Sequence, residues 1–206
     1  TICSGSTPPT ITLSGYTGTI LNWSSSSTLT GTYTVIPGTA TPTISNTATA
    51  YYMATVKSGA CSQATSTPIL VTVSPASVAG TLTPTSQSVC IGSSASQITL
   101  SGNTGSIVWQ SSSTNVDANF ADMSPAQTGQ FLASGSIPTN VAGTMYYRAK
   151  ITSGVCASVV TAASSVTVDP TTVAGTASIT SGTATICSGS KPTTITLSGY
   201  TGTILN

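Results

Sequence analysis

The chain has 206 residues, only 3% of them charged: four Lys/Arg, three Asp, no Glu and no His. An ordinary soluble domain carries roughly 25% charge; here 42 Thr and 35 Ser do the solvating. Without His or Glu the usual general acid–base groups, zinc ligand sets and Ser-His-Asp triads are excluded, and a net charge of +1 leaves no footprint for nucleic acid or an acidic membrane.

In chain order, Ile11 and Leu13 alternate with Thr12 and Ser14, the period of a half-buried strand. Ile20 and Trp23 open a second strand, and Tyr52, Ala54 and Val56 share one face of a third. Leu70-Val71-Thr72-Val73 reads as a fourth. The order then recurs: QITLS at 97–101, Ile107 with Trp109, Tyr147 with Ala149 and Ile151, and Val166-Thr167-Val168. Gly, Pro and Ser punctuate these runs, no 3.6-residue stripe emerges, and no apolar run is long enough to span a membrane. The expectation is an all-β protein with no membrane span.

Self-similarity sets the organisation. TICSGSTPPTITLSGYTGTILN at 1–22 returns at 185–206 with only Thr7/Lys191 and Pro9/Thr193 changed. YYMATVKSGACS at 51–62 pairs with YYRAKITSGVCA at 146–157, and VTVSPASVAGT at 71–81 with VTVDPTTVAGT at 166–176. The first cysteine of each copy, Cys3, Cys90 and Cys187, recurs after 87 and 97 residues. Three units follow: 1–74, lacking its first strand; 75–169, complete; and 170–206, the N-terminal part of a third. The registration reads as a window on a longer tandem array.

The order Cys, Trp, Tyr-x-Ala, Cys resembles the immunoglobulin pattern, with Ala54 and Ala149 where its second cysteine stands. More specifically, Ile2-Cys3-Ser4-Gly5, Trp23, Tyr51-Tyr52-Met53-Ala54, Gly59-Ala60-Cys61 and Val71-Thr72-Val73 resemble the Ig-like repeats of giant Bacteroidota cell-surface adhesins. The second copy carries the same marks through Cys90, Trp109, Tyr146-Tyr147-Arg148-Ala149, Gly154-Val155-Cys156 and Val166-Thr167-Val168. Such adhesins, gliding-motility adhesins among them, are exported by the type IX system. The resemblance implies tandem immunoglobulin-like β-sandwich repeats forming an extended rod at the cell surface, without enzymatic activity or cofactor. Its partners would be neighbouring repeats of the same chain, with lateral self-assembly or surface glycans beyond them.

Five cysteines with no His and no C-x-x-C favour disulfides in an oxidising compartment over a metal site. The default pairing is within a unit, Cys3–Cys61 and Cys90–Cys156. In a sandwich, however, the turn at the first cysteine and the hairpin tip at the second lie at opposite poles, and a disulfide needs Cα atoms within about 7 Å. The alternative, Cys3–Cys156, crosses from one unit to the next. Cys187 has no partner in either scheme.

Trp23, Trp109, Tyr52 and Tyr147 read as core rather than sugar platforms. Arg148 and Lys150 alternate outward and read as a solvated face. The second copy is about nine residues longer between Trp and Tyr-Tyr, and this 115–135 insertion, with Asp117, Phe120, Asp122 and Phe131, is the candidate contact loop. Two Asp fall short of the six to eight oxygens of a calcium site. The leading functional expectation is a structural stalk that spaces or presents adhesive domains. The alternative is a glycan- or protein-binding module using the insertion.

Overall fold

Val, Ile, Thr and Tyr at alternating positions favour the pleated, half-buried backbone, and the chain is accordingly nearly all β. The computed structural model describes residues 1–37, 41–180, 185–191 and 194–205. The first repeat holds β1 (Ile2–Cys3), β2 (Thr19–Ser26), β3 (Thr34–Ile36), β4 (Ala50–Lys57), β5 (Ala64–Thr65), β6 (Ile69–Val71) and β7 (Val73–Ser74). The second holds β8 (Thr81–Thr83), β9 (Ser86–Cys90), β10 (Ile98–Ser101), β11 (Ser106–Ser112), β12 (Ala121–Asp122), β13 (Phe131–Leu132), β14 (Gly143–Thr152), β15 (Val159–Val160) and β16 (Ser164–Asp169). Past these lie β17 (Thr176–Ile179) and β18 (Ile195–Ser198).

The second repeat is a sandwich. One sheet runs β12-β11-β14-β16-β9, with β15 also on β14, and the other runs β13-β10-β8. Leu82, Ile98, Leu100 and Leu132 from the small sheet share one buried cluster with Trp109, Tyr147, Ala149, Ile151 and Val166 from the large one. The chain changes sheets between β8 and β9, at the cis Thr83–Pro84 bond, and β9 then runs parallel to β16. In the first repeat β1 runs parallel to β7 in the same register, Cys3 opposite Ser74 as Cys90 is opposite Asp169. The shared ladder there is β3-β2-β4-β5, with β6 on β4.

Two sequence details explain local differences between the repeats. The turn into the central strand reads Thr-Gly-Thr-Ile-Leu-Asn-Trp in the first and Thr-Gly-Ser-Ile-Val-Trp in the second, one residue shorter. The extra residue is absorbed as an irregularity between Ile20 and Asn22, and Leu21 turns outward. Trp23 thereby still faces inward, opposite Ala54, as Trp109 is opposite Ala149. Small Ala at that place leaves room for the indole, and its backbone is closed by a hydroxyl. Ala54 N donates to Ser66 Oγ and Ser66 N to Ala54 O, at 3.0 and 2.9 Å; Ala149 and Thr161 repeat the exchange at 3.0 and 2.9 Å.

The sequence Ile-Thr-Leu-Ser occurs three times and meets three fates. In β10, Ile98 and Leu100 are fully buried, because β8 and β13 flank them and the large sheet covers them. In β18, paired only with β17, Ile195 and Leu197 are exposed. At Ile11–Ser14 the expected strand does not form: Ile11 and Leu13 are half-buried, with no ladder. Among the described residues no strand lies beside it as Thr81–Thr83 lies beside β10, and backbone groups without a partner strand define no sheet. An open groove lined by Ile11, Leu13, Trp23, Tyr52 and Ile69 lies in its place.

Candidate functional site

Two places concentrate chemistry that the repeats do not share or that joins them. The first is the insertion of the second repeat. Four of the chain's seven charges meet at it: Asp117 and Asp122 within the insertion, and Arg148 and Lys150 on β14 beneath it. Arg148, expected on a solvated face, is instead buried, its side chain 10% exposed. Its Nε donates to Gln110 Oε1 at 2.8 Å, Nη1 to Asp117 Oδ1 at 2.7 Å and Nη2 to Asp117 O at 3.3 Å. The guanidinium lies 4.1 Å from the Phe120 ring centroid. Period-2 alternation does point Arg148 away from the apolar core, but the insertion folds back over that outer face and covers it. Lys150, less covered, pairs with both oxygens of Asp122 at 2.9 and 3.0 Å.

Gln110 joins the two pairs, since its amide Nε2 donates to Asp122 Oδ1 at 2.7 Å while Oε1 accepts from Arg148. The hydrogen bonds from Lys150 and Gln110 hold the Asp122 carboxyl below its usual range. Both Asp of the candidate contact loop are thus engaged within the repeat. Among the described residues no group of three His, Cys, Asp or Glu could hold a metal ion. The equivalents of Gln110, Arg148 and Lys150 in the first repeat are Ser24, Met53 and Thr55, so this network belongs to the second repeat alone.

The rest of the insertion closes the sandwich edge. Trp109 N donates to Gln127 O at 2.9 Å, its Nε1 to Gly129 O at 3.0 Å, and Leu100 N to Gln130 O at 2.8 Å. Leu132 fills the core, while its neighbour Phe131 points out and is half-exposed, because successive strand residues face opposite sides. Sequence reading singled out the Phe and passed over Leu132, Gln110 and the Arg148 contacts. The usable signal was the joint appearance of Gln110, Arg148, Lys150 and two Asp in a chain almost without charge.

The four core aromatics sit where their strands place them. Trp23 and Tyr52 lie under the first repeat, Trp109 and Tyr147 under the second, all nearly inaccessible. The Tyr52 hydroxyl accepts from Ser45 N at 2.9 Å. Trp23 Nε1 and Tyr147 Oη are buried without a hydrogen-bond partner among the described residues, and burial raises the Tyr147 pKa.

The second place is the junction between repeats. Cys3 and Cys156 form a disulfide, with Cα atoms 4.9 Å apart although the two stand 153 positions apart in sequence. The default pairing within each unit is therefore wrong: Cys61 and Cys90 are free and exposed, as is Cys187. The reason is the pole argument. Cys3 ends β1 beside the exit strand of its own repeat, where the second repeat begins, whereas Cys61 sits at the hairpin tip after β4. The hairpin tip after β14 meets that junction. Ser153 N donates to Ser77 Oγ at 2.9 Å, and a Cβ on Gly154 would overlap the Ser74 side chain. Gly154, at φ +53°, is needed both for the turn and for this approach.

The family described as "Domain of unknown function (DUF8696)" matches residues 1–75 and again residues 78–170, so the chain belongs to that family. No curated protein and no solved structure matches the chain. Among the described residues no helix is long and apolar enough to cross a membrane.

Proposed function

We propose that this pair of DUF8696 repeats is a non-enzymatic segment of an extracellular stalk, built of tandem immunoglobulin-like sandwiches and set in a surface adhesin of the Bacteroidota type IX-exported kind. The observation that carries it is the Cys3–Cys156 bond. A bond from one repeat to the next contributes nothing to a pocket within either. It limits how far consecutive repeats can swing, which is what a spacer needs, and it persists only in an oxidising compartment. The immunoglobulin reading is supported by the sheet change at Thr83–Pro84, the parallel β9–β16 pair and the Trp–Ala contact between β11 and β14. The network of hydroxyls with few charges gives a surface whose contacts salt hardly screens.

The binding-module alternative finds less support, since the Asp residues of the insertion are held by Arg148 and Lys150 and its backbone closes the sandwich edge. Small-angle scattering tests the stalk. A compact 206-residue globule has a radius of gyration of about 17 Å. Two sandwiches of roughly 40 Å each, end to end, give about 25 Å. A value near 17 Å, or one that collapses on adding salt, overturns the rod. Protease shaving of intact producing cells tests the location: fragments of this sequence should be released without lysis.

A further inference from the structure

We infer that Cys61 and Cys90 are the two open halves of the joint that Cys3 and Cys156 have already made, so that each takes the complementary cysteine of another repeat and the bonds form a ladder along the array. This rests on the stalk reading and says what holds its units in line.

Both halves are preformed whether bonded or not. The first-position half is a tight turn after a strand parallel to the exit strand. Ser6 N donates to Cys3 O at 3.0 Å, Ser93 N to Cys90 O at 2.9 Å and Ser190 N to Cys187 O at 3.0 Å. The glycines within these turns, Gly5, Gly92 and Gly189, share φ near +80° (80°, 81°, 83°). Cys3 is opposite Ser74 and Cys90 opposite Asp169 in matching parallel register. The second-position half is the hairpin tip. Cys156 N donates to Ser153 O at 2.9 Å and Cys61 N to Ser58 O at 3.0 Å, with Gly154 and Gly59 both at φ +53°.

What differs is occupancy of the facing surface. Gly154 is pressed against Ser74, while nothing among the described residues lies within 4 Å of a Cβ at Gly59. The accepting hydroxyl also recurs, since Thr172 stands where Ser77 takes the Ser153 amide. Equal half-sites, one pair joined across a junction and one pair open, point to a partner carrying the same two turns.

Each new bond removes one hydrogen from each thiol. The sulfurs join, and two protons and two electrons pass to an oxidised thiol–disulfide oxidoreductase, whose own disulfide is reduced to a dithiol. Thiolate attack on that disulfide gives the mixed disulfide, which the second thiolate resolves.

The test is disulfide mapping of the protein taken from its producing cells, with free thiols trapped by iodoacetamide at lysis. The expected result is the Cys90 peptide linked to a Gly-x-Cys hairpin-tip peptide, and the Cys61 peptide linked to a Cys-x-Gly-Ser turn peptide. Non-reducing electrophoresis separates the two sources of partner. An unchanged mass on reduction means a neighbouring repeat of the same chain, and a fall in mass means a second copy. Alkylated Cys61 and Cys90, or bonds joining like to like, would overturn the ladder. The Cys3–Cys156 peptide is read from the same digest. Its presence with alkylated Cys61 and Cys90 defeats only the ladder, whereas its absence removes the support for the stalk itself.

Discussion

Replacing Arg148 by Ala probes the insertion most directly. The guanidinium is nearly buried, makes three hydrogen bonds and covers Phe120. Asp117 is 94% exposed, so its ionic attraction is largely screened and adds little. The main cost is Gln110 Oε1, left without its donor inside a covered face, at about 1–3 kcal/mol. Lost contact with Phe120 adds roughly 0.5–1 kcal/mol. The second repeat should lose about 1.5–4 kcal/mol in all. Native-state hydrogen exchange over 106–112 and 146–151 isolates that repeat from the first. Arg148→Met alone should behave similarly, whereas Arg148→Met with Gln110→Ser installs the first repeat's own pair, Met53 and Ser24, and should recover part of the loss. A change below about 0.5 kcal/mol for Arg148→Ala, as at an ordinary surface site, would refute the covered-network account.

Trp109→Ala should cost about 3–5 kcal/mol in a denaturant melt of the same repeat, since the ring is fully buried and its Nε1 loses Gly129; a silent melt would contradict a core role. Alkylation of the isolated chain without reductant should add three labels by intact mass, at Cys61, Cys90 and Cys187, and peptide mapping should find Cys3 bound to Cys156. Amides of β18 should exchange rapidly while those of β10 are protected, although both read Ile-Thr-Leu-Ser; equal protection would mean that local sequence, not packing, governs order. The Asp122 carboxyl should titrate below 3.8 by carbon NMR. A depressed folded-state pKa gives stability that is present above the unfolded value and lost as pH falls through the folded one, so Lys150→Ala should move the loss to higher pH. Tyr147, raised by burial, has the opposite sense: its contribution is whole below about pH 10 and is lost as pH rises further.

The repeat and the all-β character were legible in the sequence because both are local and periodic. Alternation of Ile, Leu, Val and Tyr with Thr and Ser is the pleat written out, and the recurrence of Ile-Cys-Ser-Gly and Tyr-Tyr-x-Ala needs no geometry to be seen. The inward Trp–Ala contact could be placed the same way. What only the tertiary structure decided depends on residues far apart in the chain. Whether Ile-Thr-Leu-Ser is a buried strand, an exposed strand or no strand turns on which segment lies beside it and what covers it. Arg148 faces away from the core by its period, yet whether that means water depended on where a distant insertion folded. The cysteine pairing followed the same rule. Spacing along the chain favoured partners within a unit, but a disulfide forms between neighbours in space, and the cysteine bonded to Cys3 belongs to the next repeat.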